Sequence, residues 1–174
     1  MRRRAEQLTT GEWAVLGLVE EGPTHGFAVA RALAPDGEVG RVWSMRRPLV
    51  YRTLDVLSDR ELIRTAGTEA STAGPQRTVV EVTPGGGRRV AEWLVEPVEH
   101  VRDARSELLL KLLFLDRREL APDALLDAQR DRFREQEREL RSRLDEAEGF
   151  TRTLALWRLE NTAAAVRFVD ALGS

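Results

Sequence analysis

The chain has 174 residues, 42% hydrophobic and 32% charged, with a net charge of −2. That composition suits one compact domain or two small ones and is too balanced in charge for wholesale disorder. Cysteine is absent and the two histidines, His25 and His100, lie far apart, which excludes disulfides, thiolate zinc sites, cysteine nucleophiles and a histidine metal pair.

The opening MRRRAEQLTTGEW is charged and lacks the apolar run of a signal peptide. The longest apolar stretch, Leu108 to Leu115 with Lys111 inside it, falls well short of the ~20 residues that span a bilayer. A cytoplasmic location is therefore expected. Thr9 and Glu12 stand at capping-box spacing ahead of Trp13, Leu16 and Val19, which predicts a first helix ending at Glu21-Gly22-Pro23. The Thr24-His25-Gly26 turn leads into a second helix, with Phe27, Ala30 and Leu33 on one stripe and a stop near Pro35-Asp36-Gly37.

WSMRRPLVYRTLDVL, Trp43 to Leu57, predicts the third helix. Pro48 suits a first turn, where a missing N–H costs nothing. Val50, Leu54 and Leu57 recur at i, i+4 and i+7, so they line one face, from which Arg52 points away while Tyr51 flanks it. No acidic residue occurs between Glu38 and Asp55, whereas Arg41, Arg46, Arg47 and Arg52 do. A local positive footprint of this kind matters more for a polyanion than the net charge. Lys111 is the chain's single lysine, and planar guanidinium groups suit phosphate and guanine better than ammonium does. Two readings stay open here: Arg52 paired with Asp55 or Asp59 and Tyr51 a half-buried core residue, or an outer face that meets DNA.

Beyond Arg60-Glu61 the period changes. Leu62 to Thr65 and the β-branched Thr78 to Thr83 predict two strands, joined through AGTEASTAGPQR as a β-hairpin with a long tip. Three short helices followed by a hairpin make a winged helix-turn-helix. Thr83-Pro84 predicts the cap and start of a further helix through Val90, Trp93 and Leu94, weakened by Gly85-Gly86-Gly87.

From Val98 onward the pattern predicts helix throughout. Val101, Leu108, Leu112 and Leu115 mark a stripe in a segment (LLLKLLFL) apolar enough to be buried nearly all round. After a break at Asp116 to Pro122, a charged helix from about Asp123 to Glu148 repeats Leu126, Phe133, Leu140 and Ala147 every seven residues, with Leu144 beside them, as in a coiled-coil seam. The last helix carries Leu154, Trp157, Ala164, Ala165, Phe168 and Leu172 near one side. The fold class is thus mostly α with a small β-hairpin (α+β). A winged helix-turn-helix domain over 1–95 precedes an all-helical dimerisation domain over 96–174.

The stretches EEGPTHGFAVARAL, VWSMRRPLVYRTLDVLSDRELI and VVEVTPGGGRRVAEWL resemble the PadR family of bacterial transcriptional regulators. Gly22, Pro23, His25, Gly26 and Phe27 match that family's turn, and Trp43, Ser44, Tyr51, Leu54 and Leu57 match its recognition segment. The likeness covers residues 8–95; residues 96–174 match only in kind. It departs at Pro48 to Arg52, where the family often has Gly-Thr-Leu-Tyr-Pro, and at Glu61, which replaces a common glycine. The resemblance implies a homodimeric repressor on a pseudo-palindromic operator of double-stranded DNA. An enzyme, a cofactor or a metal is not expected, since the sequence has no cysteine, paired histidines, P-loop or dinucleotide fingerprint. Read together with the third-helix pattern, the resemblance assigns DNA contacts to Ser44, Arg46, Arg47, Tyr51, Arg52, Gln76 and Arg77. It also implies a small-molecule effector pocket, with Trp93, His100 and Trp157 as candidate lining residues; the alternative for the tryptophans is core, and for His100 the surface. A winged-helix module that binds another protein, with little DNA affinity, is the competing function.

Overall fold

The computed structural model describes residues 7–69 and 76–173. The expectation for the extreme N-terminus, residues 1–6, and for positions 70–75 of the hairpin tip lies outside them. The chain divides into two compact units, Met1–Trp93 and Leu94–Ser174.

The first unit opens with α1 (Thr10–Glu20), whose capping box is complete: Thr9 Oγ1 accepts the Glu12 N–H and Glu12 accepts the Thr9 N–H. This helix is apolar nearly all round, and Ala14, Val15, Leu16 and Val19 have no exposed surface. Then come β1 (Thr24–His25), α2 (Gly26–Ala32), α3 (Arg47–Asp59), β2 (Ile63–Glu69), β3 (Arg77–Val82) and α4 (Pro84–Val95). The strands form one antiparallel sheet in the order β1-β3-β2. The sequence predicts a two-stranded wing with Thr24-His25 as turn. Instead, these two residues pair with Val80 and Val79, a strand too short to show any alternation. A bulge between Thr65 and Gly67 bends β2, which also runs further into the expected loop, to Glu69.

Thr83 joins wing to helix. Its hydroxyl accepts the Gly86 N–H at 3.1 Å, capping α4, and donates toward the Glu61 and Leu62 carbonyls at 2.8 and 3.1 Å. Gly86 is required there: a Cβ would stand 2.1 Å from the Leu62 carbonyl oxygen. Phe27 departs from its expected stripe, since α2 buries Val29 and Ala30 and leaves Phe27 45% exposed.

The second unit is helical, but its start is less regular than predicted. A 3-10 turn (Val101–Asp103) and a π-helical turn (Ala104–Leu108) precede α5 (Leu109–Arg117). Leu108, Leu110, Phe114 and Leu115 are buried, and so is Lys111. Its ammonium donates to the Glu96 carbonyl at 2.5 Å and pairs with Glu107 at 3.3 Å. Burial lowers the Lys111 pKa, and the neighbouring Glu107 and Glu96 carboxylates offset this in part. Two long helices follow, α6 (Asp123–Asp145) and α7 (Gly149–Leu172). Leu126 and Phe133 of the seven-residue seam are buried, while Leu140, Leu144 and Ala147 are half-buried. Gln129, wholly buried, accepts from the Val98 N–H at 2.7 Å and donates to its carbonyl at 3.2 Å. Asp170 of α7 binds Arg130 at 2.7 Å and Arg134 at 3.2 Å on α6, and the Arg130 hydrogen bond lowers its pKa.

The buried face of α7 corrects the expected one. It consists of Ala155, Leu159, Thr162, Ala165, Val166 and Val169. Of the predicted stripe only Ala165 is fully buried; Trp157, Phe168 and Leu172 are 64%, 38% and 47% exposed. Both faces of this helix are apolar, so periodicity could not choose between them. No helix of the described residues is long and apolar enough to cross a membrane.

Candidate nucleic-acid interface

In α3 the sequence separates core from surface cleanly. Val50 and Leu57 have no exposed surface and Leu54 has 8%, whereas Arg46, Arg47, Tyr51 and Arg52 lie exposed. Arg46 occupies the N-cap position with extended backbone, and no side chain caps the helix. Pro48 removes one N–H of the first turn and the Leu49 N–H donates to the Arg46 carbonyl at 2.9 Å, which leaves the Arg46 and Arg47 N–H groups beside the positive end of the helix, where an anion is favoured. None of Arg46, Arg47 and Arg52 pairs with a carboxylate among the described residues. The internal pairing of Arg52 with Asp55 or Asp59 is therefore not what the structure holds. Ser44 is exposed just before the helix.

Tyr51 has its own reason to stand where it does. It is 40% exposed, and its ring packs on the Gly26 backbone so closely that a Cβ at 26 would lie 2.6 Å from Cε1. The aromatic Phe27, next in the chain, gathers cations. The Arg47 guanidinium lies 5.4 Å from its ring centroid and the Arg77 guanidinium 5.3 Å, and Arg47 is also 5.7 Å from the Tyr51 ring. Such contacts orient an arginine without neutralising it. Arg77 comes from β3 and Arg47 from α3, so one ring joins wing and helix. His25 caps α2 by accepting the Ala28 N–H on Nδ1 at 3.1 Å, and its Nε2 lies 3.2 Å from Arg77 Nη1. Gln76 donates to Thr68 Oγ1 across the hairpin at 3.1 Å. These groups surround a hollow of about 590 Å³ that Asp55 also lines.

Sequence reading finds Arg47, Tyr51, Gln76 and Arg77 at this place but misses His25 and Phe27. Their signal was present in the Thr24-His25-Gly26-Phe27 run. It was absorbed by the turn and by a helix stripe that also fitted Phe27.

In the second unit a larger, open hollow of about 970 Å³ is lined by His100, Leu140, Trp157 and Phe168 among others. Trp93 is not part of its lining. It is buried in the first unit and stacks on Trp13, with ring centroids 4.8 Å apart and planes at 11°.

Residues 15–92 match the model of the Transcriptional regulator PadR-like family, which bears out the resemblance over most of the first unit. The Mycobacterium tuberculosis protein named "Probable transcriptional regulator Rv1176c" is 28% identical over 96 residues, covering 55% of this chain. The matched region spans about half the length of that relative, 49%. Among solved structures, Bacillus subtilis PadR in complex with operator DNA is similar over 94% of this chain and 97% of its own. Its identity is 21% and its TM-score 0.47. The same protein in complex with p-coumaric acid gives 18% identity and a TM-score of 0.44, over 94% of this chain and 96% of its own. For smu.1604c from Streptococcus mutans UA159 the values are 17% and 0.44, over 92% of this chain and 96% of its own.

Proposed function

With residues 15–92 belonging to the PadR-like family of transcriptional regulators, we propose that this protein is a homodimeric repressor that blocks transcription by occupying a pseudo-palindromic DNA operator. The observation that carries this reading is the exposed arginine group on α3, which no carboxylate of the described residues neutralises. Helix α3 enters the major groove. Ser44, Arg46 and Arg47 meet phosphates at its entrance, and the Tyr51 hydroxyl donates to another. Arg52 reaches base edges or the opposite backbone, and Gln76 and Arg77 bring the wing to the adjacent minor groove.

A single winged helix reads few base pairs, so the function needs two, held about one helical turn or ~34 Å apart. The apolar face that α7 leaves exposed supports such pairing. Trp157, Phe168 and Leu172 are 64%, 38% and 47% exposed, and large apolar side chains left exposed along one helix face suit an isologous interface. The effector, a small molecule that releases the repressor, is assigned to the hollow beside His100 and Trp157. Trp93 is not among the residues that line this hollow, and its ring stacks on Trp13.

The test is footprinting on the protein's own upstream region, with gel-shift titrations over a range of salt and light scattering for the mass. Expected are two protected half-sites, a steep salt dependence and a dimer mass. Arg47→Ala with Arg52→Ala should weaken binding strongly at unchanged helix content and mass. If the double variant binds like the parent, α3 is not the recognition helix. Absence of protection would favour a protein-binding module instead.

A further inference from the structure

Around Phe27 the structure sets donors against each other. His25 Nδ1 accepts the Ala28 N–H, so the proton of a neutral ring resides on Nε2. Nε2 lies 3.2 Å from Arg77 Nη1, and a guanidinium only donates. Two donors thus meet at hydrogen-bond distance with no acceptor between them. Protonating the ring gives no relief, because Nδ1–H would then confront the Ala28 N–H as well. A second guanidinium, that of Arg47, is drawn to the same Phe27 ring, 5.4 Å from its centroid against 5.3 Å for Arg77. Neither arginine has a carboxylate partner among the described residues. Asp55, the acid that lines the same hollow, pairs with neither of them.

What resolves this arrangement is an atom that only accepts, carries negative charge and has several lone pairs to share. We propose that His25 Nε2–H and the guanidinium groups of Arg77 and Arg47 form one site for a single DNA backbone phosphate, with Phe27 as the positioning residue that holds both arginines. The inference rests on the DNA-binding reading above and adds to it. The wing and the recognition helix close on the same phosphate rather than each on its own, and His25 both caps α2 and contacts DNA. A phosphate oxygen accepts from several donors at once, and arginine's planar fork suits it.

Counting phosphates tests the proposal. Fluorescence anisotropy with a labelled duplex of about 30 base pairs gives the slope of log affinity against log salt, which changes by about 0.9 per phosphate neutralised on B-DNA. Arg47→Ala and Arg77→Ala, each alone, should change that slope little, because the other arginine still neutralises the phosphate. Together they should lower it by about 0.9. A fall of about 1.8 would mean two separate phosphates and would overturn the shared site. His25→Asn keeps the cap, since asparagine serves well at that position, but removes the Nε2 donor. It should weaken binding about tenfold at unchanged slope and unchanged circular dichroism. Parental affinity in this variant would reduce His25 to a cap and overturn its role. Inorganic phosphate, titrated at constant ionic strength while the His25 ring signals are followed by NMR, separates the two sources of the anion. Shifts with free phosphate, combined with no slope change in the double variant, would overturn DNA as the occupant. A flat salt dependence in the parent would sink the DNA-binding reading itself; a steep one with a fall of about 1.8 would sink the shared site alone.

Discussion

Tyr51 on α3 and Gly26 at the start of α2 are in direct ring-to-backbone contact. A methyl group at 26 would stand 2.6 Å from Tyr51 Cε1, 3.1 Å from Cδ1 and 3.2 Å from Cζ. The aromatic ring cannot yield like the tip of a flexible chain, because its own helix is anchored by Val50 and Leu54 beneath it. The contact therefore sets the distance between α2 and α3.

Gly26→Ala should destabilise the protein by about 1–3 kcal/mol, the usual range for forcing a methyl into a filled contact. Urea denaturation measures it. In Tyr51→Ala the same substitution should cost much less, so a double-mutant cycle returns a coupling between the two positions. Additive effects would show that the ring moves aside freely and that the contact does not fix the helices.

A second substitution should have the opposite sign. Glu61, just past α3, has φ 57, the left-handed region in which a Cβ costs about 1–2 kcal/mol. This is the position where the resemblance to the PadR family leads one to expect glycine. Glu61→Gly should raise stability by up to about 1 kcal/mol, the relief being reduced by glycine's greater freedom when unfolded. A thermal melt that moves down instead of up would show that the strain is compensated by contacts of the glutamate.

These two positions show what was legible in the sequence. Wherever one signal pointed to one structure, the reading held: the Thr9/Glu12 box, the Val50-Leu54-Leu57 face and the Thr83 cap all appear. It failed where the pattern was degenerate. Helix α7 is apolar on two sides, and its packing, mainly on α6, buries Leu159 and Val166 rather than Trp157 and Phe168. Likewise β1 has two residues, which carry no period, and it exists because Val79 and Val80 offer an open edge. At the candidate site the cations were legible from charge. The aromatic ring that organises them was not, because Phe27 fits a core stripe equally well until Val29 takes that place.

The single lysine gives a pH signature that a Lys111→Met variant isolates. Lys111 is buried and its pKa lies below the usual 10.5, desolvation being the main cause. Between the lowered folded value and 10.5 the unfolded chain holds more protons than the folded one, so stability rises with pH across that interval. Below the folded value this contribution is absent. Above 10.5 it is complete. Denaturation midpoints taken from neutral pH toward 10.5 should therefore climb in the parent, and Lys111→Met should flatten the climb, since arginines do not titrate there. Parallel curves for the two proteins would mean that Lys111 is as well solvated folded as unfolded.

Asp55 offers the sharpest test of how the hollow near Phe27 is used. It lines that hollow, is exposed, and pairs with no cation among the described residues. If the hollow serves only to hold phosphate, the carboxylate repels the incoming backbone, and two exposed charges ~4 Å apart in water interact by about 1 kcal/mol before screening. Asp55→Asn should then tighten binding to any duplex up to about fivefold at low salt, and the gain should vanish as the Debye length shrinks. A carboxylate facing a base behaves differently. It accepts from the N4 amino group of cytosine, a contact that carries about 1–3 kcal/mol of discrimination. In that case Asp55→Asn would weaken the operator while leaving random duplex unchanged. The absence of internal partners and the concentration of cations at this hollow favour the first outcome, and paired titrations on operator and random DNA decide it. Weaker binding to both would contradict either role, because it would make Asp55 a prop for the arginines that it does not touch in the structure.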